Sequence, residues 1–314
     1  MRNWALIFSL GSFLLPNNSG AWGFEPHRRI NQHACHILPS PLYGFYKTHL
    51  SYMMQHATDA DMRRYVDTLE AGKHFIDVEH YGFIVDSIPT DYLKAEKQFG
   101  KSHLQNEGNL PWNIIRCVYG LKKAFSEGQI HYILRVSADL GHYVADAHVP
   151  LHTTENYNGQ LSGQKGIHGL WETRIPDLFM DTLLVPLQPM AFRENWVGDI
   201  WNTIKNSHQL VPLVLARELE TRSSIPENQW YGFEQRKNKV EKTYSQTYVN
   251  TYYTLLDGMV EAQFVSSSQL LADLIFTAWV MAGEPDLSQL NAIDTNAQNP
   301  NSSNIPHEDL NCDH

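Results

Sequence analysis

The run His142-Tyr143-Val144-Ala145-Asp146-Ala147-His148-Val149-Pro150-Leu151-His152, followed by His168-Gly169-Leu170-Trp171-Glu172, decides how this chain reads. On a helix, residues four apart share a face, with Cβ atoms roughly 5–6 Å apart. His142 with Asp146, and His168 with Glu172, can therefore each grip one ion. Residues 130–147 carry apolar side chains at helical spacing, and Pro150 terminates that helix. Between the two pairs, 153–167 holds Asn156, Asn158, Gly159, Gly163 and Gly166 and reads as a loop.

Outward from this run the helical period recurs. It predicts helices over 26–38, 42–57 and 111–125, the last opened by Pro111 in its first turn and closed near Gly128. Residues 59–81 mix a short helix with a loop, and 84–110 lack a sustained period, so an irregular connection is expected there. Downstream, helices are expected over 168–180, 193–207, 211–221, 233–258 and 259–282. Gln269 and Asp273 interrupt the last and most apolar of these, which favours a buried core helix over a membrane span. The expected fold class is all-α, one domain over 22–283. Beyond Gly283, residues 284–314 are rich in Asn, Asp, Ser and Pro and read as a disordered tail. No internal repeat is visible.

The first 21 residues read as a secretory signal peptide. Arg2 gives a positive start, Trp4 to Leu15 is apolar, and small residues Ser19 and Ala21 precede the cut expected after Ala21. A retained signal anchor is the alternative, but the apolar stretch falls short of the roughly 18 residues a span needs. Cleavage implies a secreted or periplasmic chain. It also makes Trp22 the N-terminus, with an α-amine of pKa near 8 that can act as a nitrogen ligand beside its own carbonyl. His27 follows five residues later.

A formal net charge of -10 and a pI near 5.9 argue against a protein that holds nucleic acid by a broad basic face. Any phosphate it handles must be met locally, by metals. Three cysteines, Cys35, Cys117 and Cys312, are too few for a disulfide framework; a Cys35–Cys117 bridge is possible but cannot be deduced from the sequence. The 16 histidines are the compositional outlier, and most lie near the candidate ligands.

A second ligand group lies upstream, in Thr58-Asp59-Ala60-Asp61-Met62-Arg63-Arg64 and Lys73-His74-Phe75-Ile76-Asp77. Carboxylates with neutral imidazoles suit zinc, and a carboxylate can bridge two ions where a histidine cannot. Trp22, His27, Asp61, His74, His142, Asp146, His152, His168 and Glu172 supply enough donors for three ions with positions left open. A closed structural site would more commonly use Cys-x-x-Cys pairs, and this chain has none.

The order Trp, His, Asp, His, then His-x3-Asp-x5-His, then His-x3-Glu resembles the superfamily of zinc-dependent phospholipase C and the single-strand-specific nucleases of the S-one/P-one type. The resemblance covers essentially all of 22–283. It implies an all-helical domain with three Zn2+ per chain at the bottom of a cleft. Asp61, His74, His142 and Asp146 would hold one zinc of a close pair. The Trp22 amine and carbonyl, His27 and the bridging Asp146 would hold its partner, and His152, His168 and Glu172 the third.

The step from Trp22 to His27, Pro150-Leu151 before His152, and His168-Gly169-Leu170-Trp171-Glu172-Thr173 look more like the nucleases. The implied activity is then cleavage of single-stranded nucleic acid to 5′-nucleotides by zinc-activated hydroxide. Asp61 would orient that nucleophile and Arg64 would offset phosphoryl charge. Phe75 could stack on an unpaired base and Asp77 accept hydrogen bonds from its edge, although core packing and orientation of a ligand histidine explain the two equally well. Against the nuclease branch, Glu172 is the phospholipase choice, the step from Asp61 to His74 is short, and Ala145 and His148 replace a Gly and a Gln. Asp59 competes with Asp61 for the ligand position. The alternatives are a phospholipase C acting on phospholipid head groups, and a non-catalytic zinc- or phospholipid-binding module. No stable protein partner is implied and, after processing, no membrane anchor.

Overall fold

The structure, a computed structural model, describes residues 24–180, 188–236 and 239–288. The expected signal peptide and its expected cleavage point, Trp22, Cys312 and residues 289–314 lie outside the described residues.

At the centre is α8 (Ile130–Ala147), in which 13 of 18 residues are buried. Three helices pack around it: α1 (Phe24–Ile37), α7 (Leu110–Ser126) and α13 (Met259–Met281). Each presents an apolar stripe at helical spacing, such as Ile30 and Ala34 on α1 and Ile114, Val118 and Leu121 on α7, all fully buried. Pro111 sits in the first turn of α7, where its missing N–H has no partner to lose. By length and composition α13 passes as a membrane span, yet 67% of that stretch is buried within the protein. Its Asp273 is fully buried and accepts from Arg193 Nε at 2.9 Å and from the Ala191 N–H at 2.8 Å. A paired carboxylate of that kind marks a core helix.

The remaining helices close around this centre: α2 (Ser40–Thr48), α3 (Leu50–Gln55), α4 (Asp59–Arg63), α5 (Tyr92–Phe99), α6 (Lys101–Asn106), α9 (Ile167–Gly169), α10 (Ile175–Phe179), α11 (Trp196–Ser224) and α12 (Gln246–Leu255). The helix expected over 42–57 is two pieces, broken at His49. The connection 84–110 is less irregular than its composition suggests, because α5 is capped by the Asp91 carboxylate accepting from the Lys94 N–H at 2.8 Å. The two helices expected over 193–207 and 211–221 are one, α11, which runs through Pro212. Its buried stripe continues unbroken through Ile204, Ser207, Val211, Val214 and Glu218. That burial outweighs the roughly 3 kcal/mol a proline costs inside a helix.

The clearest departure from an all-helical chain is at 233–258. Residues Tyr231–Arg236 (β1) and Lys239–Tyr244 (β2) form an antiparallel hairpin, and the helix α12 begins only at Gln246. The alternation Tyr231, Phe233, Gln235 facing Tyr244, Lys242, Val240 puts one set of side chains on one face, a period of two rather than 3.6. The Tyr231 and Tyr244 rings lie 5.0 Å apart, and Tyr244 packs on Tyr248 at 4.9 Å, which ties the hairpin base to α12. Among the described residues the other regular elements are helices. At its end the core also takes in Leu287, 3% exposed, past the Gly283 boundary expected for the domain.

Candidate metal centre

Eight of the nine expected ligands fall within the described residues, and all eight are buried. His27 comes from α1, Asp61 from α4, His142 and Asp146 from α8, His152 from the 3-10 turn Pro150–Thr153, and His168 from α9. Glu172 lies in the wide π-type turn Leu170–Arg174 that follows α9, and His74 in the loop after Lys73. The ligand atoms gather into three groups, the first two sharing His142: His27 with Asp61 and His142; His74 with His142 and Asp146; and His152 with His168 and Glu172, each within 4.8 Å.

In the first two groups His142 Nε2 is 3.1 Å from His74 Nδ1, 3.4 Å from Asp146 Oδ2 and 3.7 Å from Asp61 Oδ1. His74 Nδ1 is 3.0 Å from Asp146 Oδ2, and His27 Nε2 is 3.7 Å from Asp146 Oδ1. Asp146 thus presents one oxygen to each side, the arrangement a bridging carboxylate needs. In the third group Glu172 offers Oε1 to His152 Nε2 at 2.9 Å and Oε2 to His168 Nε2 at 2.8 Å. The groups are joined through the backbone, since His152 Nδ1 donates to the His74 carbonyl at 2.5 Å.

The ring orientations are set from behind. His142 Nδ1 donates to the Ala57 carbonyl at 2.9 Å and His168 Nδ1 to that of Tyr157 at 3.3 Å, as His152 does to His74. A carbonyl can only accept, so each Nδ1 carries the proton and each Nε2 is left with its lone pair facing the cluster. His74 is reversed: Nδ1 faces the cluster and Nε2 faces the carboxylate of Glu70 at 3.7 Å. His27 stacks on His142, ring centroids 4.0 Å apart and 17° from parallel. That stacking requires α1 and α8 to touch, and Gly141 permits it: a Cβ there would collide with the Asn31 side chain.

The electrostatics are those of a site short of positive charge. Burial, with Asp61 and Glu172 nearby, pushes the Asp146 carboxyl well above its ordinary range. Burial likewise lowers His27 and, with a smaller contribution from His142, takes His74 to about 3. At Glu172 burial acts upward, yet His168 and His152 pull the carboxyl down to about 2. Among the described residues, neither ring nitrogen of His27, neither carboxylate oxygen of Asp61, and not Asp146 Oδ1 has a hydrogen-bond partner. Buried polar groups without partners cost about 1–3 kcal/mol each, and a set of them aimed at one another fits divalent cations.

Asp59, the competitor of Asp61, points elsewhere: it is half-buried and pairs with His56 Nδ1 at 2.7 Å. Arg64 is 3.6 Å from Asp61 Oδ1 and 40% exposed, on the solvent side of the cluster. Phe75 and Asp77 do not join the ligand groups. Phe75 is half-buried with its ring against Gly108. Burial, with Glu79, Glu107 and Glu155 around it, lifts the Asp77 carboxyl to about 7. Trp22 lies outside the described residues. Cys35 and Cys117 are free thiols, Cys35 buried and Cys117 half-buried.

The residue that motif reading passed over is Glu70. It is fully buried and bound by Lys73 Nζ at 2.6 Å, Arg63 at 3.3 Å and the Tyr143 hydroxyl. Its signal was present, because Glu70 precedes His74 by four, the same step that links His142 to Asp146. The surrounding loop lacked a helical period to draw attention to it. No protein-family model matches the chain, and no curated protein matches it either.

Proposed function

We propose that this protein is a secreted zinc-dependent phosphodiester hydrolase of the phospholipase C and single-strand nuclease type, holding three Zn2+ per chain. The observation that carries this reading is the gathering of His27, Asp61, His74, His142, Asp146, His152, His168 and Glu172 into three buried groups, two of them sharing His142. Imidazole and carboxylate without thiolate is a donor set used by catalytic zinc. Ions held there would supply Lewis acidity and lower the pKa of bound water to about 7.

The chain's own groups then have separate tasks. Asp146 would hold two neighbouring positions in register through its two oxygens. Asp61 Oδ2 would orient the attacking water and take up its proton. Arg64, on the solvent side of the cluster, would offset charge on the phosphoryl oxygens. Helices α1 and α8 and the turn after α9 exclude bulk water from the floor, where the ligands are at most 8% exposed.

The motif spacing favours single-stranded nucleic acid as substrate, with Phe75 and Asp77 contacting a base. A second reading, a phospholipid head group, is favoured by the surroundings. Met62, Tyr65 and Val66 expose apolar side chains next to Arg64. The carboxylates of Glu79, Glu107 and Glu155 crowd Asp77, where a polyanionic strand would have to lie.

The test is hydrolysis by the purified mature chain of single-stranded DNA, RNA and phosphatidylcholine vesicles, with bis-nitrophenyl phosphate as the generic diester. Release of 5′-nucleotides supports the nuclease; release of phosphocholine with intact nucleic acid supports the phospholipase. Zinc uptake without turnover of any diester leaves only a binding module, and activity retained by a folded His142→Ala chain refutes the metal chemistry.

A further inference from the structure

His142, His152 and His168 all turn a protonated Nδ1 to a backbone carbonyl and an open Nε2 to the pit. His74 is the exception, with Nδ1 toward Asp146 and Nε2 toward Glu70 Oε1. Among the described residues, no backbone carbonyl holds the outer nitrogen of His74, and that buried nitrogen has no hydrogen-bond partner closer than Glu70 at 3.7 Å. Glu70 is itself clamped. Lys73 Nζ reaches Oε2 at 2.6 Å, and Arg63 and the Tyr143 hydroxyl reach Oε1. Arg63 is in turn fixed by Asp139 Oδ1 at 3.0 Å. Three donors, two of them cationic, fix an ionised carboxylate at the back of one ligand ring.

We propose that Glu70 is a positioning residue for the metal centre, accepting the Nε2–H of His74 and so presenting Nδ1 as the ligand atom. The inference rests on the metal-binding reading of the pit. A cation on Nδ1 makes Nε2–H a stronger donor, and a carboxylate behind a ligand histidine both fixes its tautomer and raises its basicity. The pair therefore tightens when the site is loaded. Glu70 does not touch the pit, and its effect on the reaction passes entirely through His74.

The experiment uses the full mature chain, nitrogen-15 labelled and zinc-loaded. A long-range proton–nitrogen spectrum assigns the tautomer of each ligand histidine. The expected result is Nε2–H on His74, with Nδ1–H on His142, His152 and His168. Chelator competition is then measured for Glu70→Gln, which keeps size but loses charge, and for Asp139→Asn, which loosens the Arg63 end of the network without reaching His74. Glu70→Gln should weaken zinc binding roughly 10–100-fold, while Asp139→Asn should lower the melting temperature and leave zinc affinity unchanged. Equal losses of affinity in both variants, or none in either, overturn the proposal. Should Glu70→Gln fail to fold, the wild-type spectrum decides, since a zinc-loaded His74 protonated on Nδ1 is incompatible with it. A wild-type chain that takes up no zinc overturns the metal reading itself, a result distinct from a zinc-loaded chain indifferent to Glu70.

Discussion

Replacing Gly141 by Ala tests whether the candidate metal centre depends on contact between α1 and α8. Gly141 is interior to α8, and by helix propensity alone the change should stabilise the chain by about 0.5–1 kcal/mol. The structure argues for the opposite sign. A Cβ at 141 would meet Asn31 Oδ1, Cγ and Nδ2 together, and Asn31 is fully buried with its amide donating to the His27 carbonyl at 3.2 Å. Such overpacking costs about 1–3 kcal/mol. Subtracting the propensity gain leaves a net loss of roughly 0–2.5 kcal/mol, or up to about 10 °C in melting temperature for a domain of this size. The larger consequence is local, because His27 leaves its stacking distance from His142 if the two helices part. Thermal unfolding with and without zinc, together with zinc per chain, reads both effects. Asn31→Ala in the same chain should relieve the clash, so the double variant should be more stable than additivity predicts. A Gly141→Ala chain that melts higher than wild type and holds its zinc equally well would refute the packing argument.

Three further outcomes follow from the geometry. Asp77 is held at about 7 in the fold against 3.8 for the free carboxyl. Its ionisation therefore costs stability as pH rises from about 4 to 7, and Asp77→Asn should stabilise the chain at pH 8 but not at pH 4. The gain, discounted for partial exposure, is on the order of 1–2 kcal/mol; an equal gain at both pH values would exclude Asp77 as its source. Stripping zinc with a chelator should lower stability by at least about 2.7 kcal/mol, the linkage expected from ligand at 100 times its Kd, and unchanged denaturant unfolding would show that the ions are not bound in the folded pit. An extra residue retained before Trp22 should reduce zinc from three to two per chain with loss of hydrolysis, whereas three ions and full turnover would dismiss the α-amine as a ligand.

Helix content and pit were legible in the sequence to different degrees. The His142/Asp146 and His168/Glu172 pairs were readable because a four-residue step on a helix is a geometric statement about one face. His27, His74 and His152 are candidate donors by residue type, but only the resemblance assigns each to an ion, since nothing local says that a loop after Lys73 will lie against α8. Asp59 and Asp61 could not be separated by composition; the fold separates them, turning Asp61 inward and leaving Asp59 to His56. The hairpin at 231–244 was misread as helix although its alternation of Tyr231, Phe233 and Gln235 is a strand pattern, because the apolar residues of α12 follow at once and extend the apparent helical run. The division into 193–207 and 211–221 errs in the other direction, because the buried stripe of α11 runs on through Ser207, Val211 and Val214.

The pit itself bears on the choice between an enzyme and a folded binding module. Asp61, Asp146 and Glu172 place three carboxylates within a few side chains of one another, and the cation paired with Asp61, Arg64, is 40% exposed. A protein that needed only a rigid centre could replace such a set by apolar residues at little cost or even with a gain in stability. Retaining them requires a return that packing does not supply. A closed structural ion would account for the ligands alone. Arg64, 40% exposed and 3.6 Å from Asp61 Oδ1, is the cation beside the cluster that an incoming anion would meet. The residue that separates the two cases is therefore Arg64 rather than any ligand: Arg64→Met should leave zinc per chain at three and cut diester hydrolysis by roughly 10²-fold or more if it meets transition-state charge. Equal turnover by Arg64→Met and wild type would move the balance to the binding module.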